Sequence, residues 1–279
     1  LNKFLWCKNL LSYLEINLIT RMVFLFLKAA LVILICIILL WILSVYLKNA
    51  SIVDIFWGSG FVIVNAVYFF YQDVVYTRHI ILLGLVTLWG LRLSIYLAYR
   101  NIGKGEDFRY QEFRRKYGTH RYWWVSFFQV FLLQGVLILI VSLPLLGSNN
   151  YTQSNQISWI DYVAILVWII GFIFESVGDY QLTKFKSNLS NKGKVLNTGL
   201  WKYTRHPNYF GDAAIWWGYA LFCASSGIYW PILGSVAMTF LIIKISGVSL
   251  LEDSLKDKKP EYQNYMKQTS SFFPWFPKK

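Results

Sequence analysis

Charge is scarce in this chain: only 15% of its 279 residues are charged, against 56% hydrophobic and 19% aromatic, and mean hydropathy is +0.44. A soluble domain of this length could not bury so much apolar surface, which excludes a water-soluble globular fold. Cysteine and histidine are scarce as well. Cys7, Cys36 and Cys223 show no CxxC spacing, and the only histidines are His79, His120 and His206. Neither a structural zinc nor a disulfide framework is supported, and no metal site is expected. With no internal repeat and no low-complexity stretch, a single domain is the reading.

Long apolar runs are present instead. A spanning helix needs about 20 mostly apolar residues, and roughly seven such windows occur near 22–47, 53–72, 79–99, 123–147, 157–180, 209–226 and 229–251. Strands of a β-barrel would be shorter and would alternate. The expected fold is all-α: a polytopic integral membrane protein of about seven transmembrane helices, embedded in a lipid bilayer.

The formal net charge of +13 invites a nucleic-acid reading, but the placement of the charges argues against it. Lys and Arg crowd into 100–121, 184–205 and 256–279, whereas the connections near 148–157 and 226–228 hold none. Basic loops stay cytoplasmic, so the third and fifth connections and the C-terminal tail are expected there, with the N-terminus outside. No nucleic-acid partner is expected. Lys3, Lys8 and Arg21 fit this topology poorly, and Met22 stands just before the first long apolar run. Residues 1–21 are therefore expected to be an extension from an upstream start, and 22–279 the membrane domain.

Ionisable residues inside or beside the spans are expensive and mark candidate sites. Glu175 and Asp179 are four apart on one helix face, and Lys186 continues that face. Asn208 and Asp212 share a face with Trp216. They follow Pro207, which suits a first helical turn, so Arg205 and His206 beside it lie where an anion could meet helix N-terminal amides. Trp89, Arg92, Tyr96 and Tyr99 fall at helical offsets that place a cation among rings, and Asp54 is a lone acid that could answer Arg92. Lys28 is expected to snorkel to the interface, and Asp161 to sit favourably at a helix N-terminus. The loop Gly105-Glu-Asp-Phe-Arg-Tyr110, with Gly103 before it, suits either a mobile flap or a solvated turn.

Several separated segments together carry a resemblance: Val53-Asp-Ile-Phe-Trp-Gly58, Trp89-Gly-Leu-Arg92, Gly105 to Tyr110, Gly199-Leu-Trp, Pro207-Asn-Tyr-Phe-Gly-Asp212 and the tail from Pro260 to Pro274. Over roughly residues 50–279 the chain resembles the bacterial DUF1295 membrane proteins, which are related to the steroid 5-alpha-reductases through a shared C-terminal domain. The resemblance implies a seven-helix enzyme holding NADPH in a cavity open to the cytoplasm, in a bacterial inner membrane. It assigns cofactor binding to Asp179, Lys186, Lys194, Asn208, Asp212 and Tyr262, with Arg205, His206 and Tyr209 of the neighbouring segment. The reaction implied is hydride delivery to a conjugated C=C bond of a hydrophobic steroid-, isoprenoid- or lipid-like substrate, and a monomer is expected.

The chain departs from the steroid enzymes where their paired Glu and Tyr meet the enone: Asp54 and Trp89 stand there. Arg92 or Tyr96 could replace the missing donor, which makes Asp54, Arg92 and Tyr96 the catalytic candidates. A second resemblance points to another chemistry. Arg205-His-Pro-Asn-Tyr209 and Gly211 are similar to the R-H-P-x-Y-x-G signature of isoprenylcysteine carboxyl and phospholipid methyltransferases, with Glu252-Asp253 where those enzymes carry a Glu-Glu pair. That reading implies S-adenosylmethionine as cofactor, with Arg205, His206 and Glu252 at the site.

Overall fold

The computed structural model describes residues 2–150, 156–246, 248, 252 and 260–278. Among them the regular structure is all helical, with no strand. This follows from the sequence, because in lipid each backbone N–H and C=O must be satisfied within its own segment. The elements are α1 (Asn2–Leu47), α2 (Ile52–Phe70), α3 (Thr77–Asn101), α4 (Phe108–Tyr117), α5 (Thr119–Ser126), α6 (Leu133–Val141), α7 (Leu143–Asn150), α8 (Trp159–Ser187), α9 (Pro207–Ser225), α10 (Leu233–Phe240) and α11 (Pro260–Gln268). A π-helical turn, Phe127–Leu132, joins α5 to α6, and another, Leu241–Ser246, follows α10.

Among the described residues five helices are long and apolar enough to cross a membrane: Leu18–Leu47, Ile52–Phe70, Thr77–Asn101, His120–Val141 and Trp159–Ser187. The other two expected windows differ for physical reasons. Gly, Ala, Asp and Asn dilute the apolar character of α9, and the apolar stretch Trp230–Ile245 is shorter than a full span. The chain packs as two compact units, Leu1–Ile157 with Ser226–Pro231, and Ser158–Ser225 with Ile232–Lys279.

In the first unit, α1 buries Met22, Leu25, Ala29, Ile33 and Ile37, a stripe at three- and four-residue spacing. Helices α2 and α3 cross where neither carries a side chain. A Cβ on Gly58 would lie 2.2 Å from the Gly90 carbonyl oxygen, and one on Gly90 would lie 2.6 Å from that of Gly58. Beside the crossing, the Ser59 hydroxyl donates to Ser94 Oγ at 2.8 Å. Small residues thus let two spans touch backbone to backbone, a recurrent way of joining helices in lipid. Phe61 and Trp89, both fully buried, fill the space below at 5.7 Å between rings. Lys28 has aromatic partners: its Nζ sits 3.5 Å from the Tyr71 ring centre and 4.2 Å from that of Phe24, within reach of cation–π attraction.

In the second unit, α8 opens on a capping box, with the Ser158 amide donating to Asp161 Oδ2 at 2.7 Å. Ser225 at the end of α9 donates to Asp161 Oδ1 at 2.6 Å. Asp161 is thus the N-terminal charge expected from the sequence, and it also ties the two helices together. Between those ends α8 and α9 run as a glycine seam. A Cβ on Gly211 would lie 2.4 Å from the Glu175 amide nitrogen, and one on Gly171 would lie 2.6 Å from the Gly211 carbonyl. Gly178 faces Pro207 and Asn208, and Gly218 faces Ala164 and Trp168. The seven-residue spacing of glycine on both helices keeps these contacts on one face.

Candidate functional site

The glycine seam sets the geometry of the second unit's polar residues. With α8 and α9 in backbone contact, Asp179 comes opposite Asn208, whose Nδ2 donates to Asp179 Oδ1 at 3.2 Å. Glu175, one turn earlier on α8, packs against Gly211, next to Asp212. Glu175 and Asp179 are buried, while Asn208 and Asp212 are partly open. The N-Y-F-G-D stretch is therefore read in two ways at once: its glycine permits the close approach, and its Asn and Asp ride on that approach. Helix α8 runs on to Ser187, so Lys186 extends the face of Glu175 and Asp179 as expected. Lys186 and Lys194 are both exposed.

The connection from α8 to α9 is held at each step. Gly199 adopts φ +61°, a left-handed conformation suited to glycine. A Cβ there would meet the Gln181 amide, whose Oε1 accepts from the Leu200 amide at 3.0 Å. The Trp201 indole donates to the Gly178 carbonyl at 3.2 Å, and the Tyr265 hydroxyl donates to the Trp201 carbonyl.

Arg205 and His206 then enter a compact cluster with Glu252. Arg205 Nε donates to Glu252 Oε1 at 2.8 Å, and His206 Nε2 lies 3.2 Å from the same oxygen. Arg205 Nη1 is directed to the carbonyls of Met266 and Thr269, and its backbone amide donates to the Ser270 carbonyl at 2.9 Å. Most donors of this guanidinium thus face the protein itself. Burial works to raise the Glu252 carboxyl, but hydrogen bonds from His206 and Arg205 and their charges hold it below the ordinary value. Tyr262, buried beside this cluster, has its phenol pushed up to about 12 by desolvation and by the negative charge of Glu252. Tyr209 stacks on His206 at 5.6 Å between ring centres.

The catalytic candidates lie in the first unit, and one expectation there is corrected. The cation on Asp54 is Arg109, whose Nη2 lies 3.0 Å from Asp54 Oδ2, rather than Arg92. Tyr110 completes the arrangement, donating its hydroxyl to Asp54 Oδ1 at 2.7 Å. Burial raises the Tyr110 phenol strongly, reinforced by the Asp54 carboxylate. The loop expected to be either a flap or a solvated turn is thus pinned at the start of α2. Asp107 caps α4 and its amide donates to Ser51 Oγ at 2.7 Å, while Glu106 accepts from the Ala50 amide at 2.8 Å and from Arg114.

Arg92 and Tyr96 do associate, with the guanidinium carbon 5.9 Å from the ring centre and Arg100 flanking the ring at 5.8 Å. The wider stripe does not face one environment, since Trp89 is fully buried and Tyr99 is 75% exposed. Ten residues of helix leave Tyr99 about 80° around the axis from Trp89. Arg109 and Tyr110 were missed as partners of Asp54, and the signal was available: a buried acid at the start of a helix needs a cation, and the basic loop after α3 offers several. Among the described residues no cluster of His, Cys, Asp and Glu could hold a metal ion.

Residues 40–269 match the family model described as a protein of unknown function, DUF1295. The chain is therefore a member of the DUF1295 family, to which the resemblance read from its motifs already pointed. It is similar to an uncharacterized protein of the fission yeast Schizosaccharomyces pombe, 28% identical over 84% of this chain and 75% of that one. Proteins similar to this chain are thus not confined to bacteria. A shorter stretch, 29% of this chain, is 30% identical to 22% of a protein of Acanthamoeba polyphaga mimivirus named "Probable 7-dehydrocholesterol reductase". Another, 27% of this chain, is 36% identical to 25% of a protein of Ustilaginoidea virens named "Probable O-methyltransferase". No solved structure matches the chain.

Proposed function

We propose that this protein is a membrane-embedded, NADPH-dependent reductase of a conjugated C=C bond in a hydrophobic substrate drawn from the bilayer. The observation that carries the reading is the Asp179–Asn208 contact at 3.2 Å, one turn from Asp212 on a seam of two helices. The donor set suits the cofactor. Exposed Lys186 and Lys194 match phosphate oxygens, Asp179 and Asp212 can accept from ribose hydroxyls, and Asn208 can serve the carboxamide. When bound, NADPH supplies the hydride. Arg92, attached to the Tyr96 ring, is the proposed donor to the oxygen of the developing enolate. Charge bias supports seven crossings, with α9 and the stretch after it as the last two, and the basic connections in the cytoplasm. The similarity to a protein named as a sterol reductase supports the same class.

A second reading is favoured by one specific contact. His206 and Arg205 converge on Glu252, the three residues that a methyltransferase of the isoprenylcysteine carboxyl type would use with S-adenosylmethionine. Titration of NADPH, NADH and S-adenosylmethionine against detergent-solubilised protein separates the two. Tight NADPH binding, weakened by Asp212→Ala and by Lys186→Ala, is the expected result. Binding of S-adenosylmethionine alone would overturn the reductase.

A further inference from the structure

The tail after α11 presents three large aromatic side chains outward: Phe273, Trp275 and Phe276 are 70%, 73% and 75% exposed. In water each would leave a large apolar surface hydrated, which is unfavourable. The extended segment that carries them is nevertheless fixed. Trp275 donates its amide to the Tyr203 carbonyl at 2.9 Å, Thr204 Oγ1 donates to the Phe272 carbonyl at 2.9 Å, and the Lys278 amide donates to the Gln268 carbonyl at 2.8 Å. Pro274 and Pro277 restrict the backbone further.

Its level relative to lipid follows from α8. The helix starts at the exposed Trp159, and a hydrocarbon core of about 30 Å takes up about 20 residues, which brings the far boundary near residue 179. Phe174 lies just inside that boundary and meets Phe210 at 5.1 Å, and Phe210 meets Phe273 at 6.2 Å. The exposed rings therefore stand at the edge of the acyl region, where Trp is favoured. Charge agrees: Lys202, Lys267 and Lys278 are exposed around the segment, and residues 262–279 contain no Asp or Glu.

We infer that residues 273–278 are a rigid interfacial foot, seated in the headgroup region of an anionic bilayer surface. Because Trp275 donates to the Tyr203 carbonyl and the residues leading into the foot, Thr269 and Phe272, supply backbone acceptors to Arg205 and Thr204, the membrane surface braces the entry to α9. The foot consists of aromatic wedges held by backbone hydrogen bonds, with lysines for lipid phosphates.

The test places an environment-sensitive fluorophore at Trp275→Cys, and separately at Phe276→Cys, in a chain with Cys7, Cys36 and Cys223 replaced by alanine. Lys192→Cys is the aqueous control, and reconstitution is in phosphatidylcholine vesicles with and without phosphatidylglycerol. Quenching by brominated lipid at least about twofold greater at 275 and 276 than at 192 is expected. Phosphatidylglycerol should shift the emission further to the blue, and the double variant Lys267→Glu with Lys278→Glu should abolish that shift. Iodide quenching at 275 and 276 equal to that at 192 would overturn the inference. So would shielding from both quenchers that is lost at one protein copy per vesicle, because a second copy would then cover the rings.

Discussion

Arg205 and Glu252, 47 residues apart in sequence, meet with Nη2 2.7 Å from Oε1 and Nε 2.8 Å from the same oxygen. Both side chains are largely buried, at 8% and 15% exposure. Removing one member of such a pair strands the other, which typically costs about 3–5 kcal/mol. Arg205→Met is therefore expected to lower stability by about 3 kcal/mol or more. Arg205→Lys should recover less than half of that, because an ammonium cannot direct a planar fork at Glu252 and at two carbonyls together. Unfolding midpoints in detergent check this, and a lysine variant as stable as the parent would refute it.

The same pair sets a pH dependence. Buried Glu252 is held below the ordinary value of 4.5 by His206 and Arg205. A carboxyl whose folded value is depressed contributes stability that is fully present above its unfolded value and is lost as pH falls through the folded one. The unfolding midpoint should thus lose the Glu252 contribution only below about pH 4.5. Glu252→Gln should be less stable than the parent near neutrality and show a shallower acid decline. Parallel melts across the acid range decide it, and curves of equal steepness would show that Glu252 is not the group responsible.

Glycine substitutions test the seam of α8 and α9. A methyl group on Gly211 would meet backbone at 2.4 Å, and one on Gly171 would meet it at 2.6 Å, atoms that cannot rotate away. Each Ala variant is expected to lose about 2–3 kcal/mol through forced separation of the helices. Gly84→Ala on α3, where nothing lies within 4 Å, should be neutral or gain up to about 1 kcal/mol from helix propensity. Nucleotide binding should weaken with Gly211→Ala, because Asn208 and Asp212 shift with their helix, and should be unaffected by Gly84→Ala.

Much of this was legible in the sequence, for reasons of periodicity. Long apolar windows had to be helices, and Glu175, Asp179 and Lys186 shared a face because α8 is regular throughout. The contact of Asp179 with Asn208 was not legible, since it depends on which two helices touch. The paired glycines at 171, 178, 211 and 218 were the available clue. Arg92, the cation expected for Asp54, stands on a neighbouring span, whereas Arg109 reaches Asp54 from the first turn of α4, brought there by a connection whose path no periodicity encodes. Glu252 likewise came into view only through a motif resemblance, its 47-residue separation from Arg205 carrying no local signal.

Asp54 and Arg109 offer the sharpest separation of structure from chemistry. If their 3.0 Å contact chiefly pins the loop that precedes α4, then Asp54→Asn and Arg109→Met should each speed tryptic cleavage after Lys104. A double-mutant cycle should give a coupling of about 1–2 kcal/mol, in the range for residues in direct contact. Arg92→Met should leave that cleavage unchanged, because Arg92 lies on α3 against Tyr96 and outside the lock. Once a substrate is in hand, Arg92→Met should lower kcat by about tenfold or more with KM little altered, the pattern of a donor used in the transition state alone. Full turnover by Arg92→Met would remove Arg92 from the chemistry, and loop cleavage unchanged by Asp54→Asn would remove Asp54 from the lock.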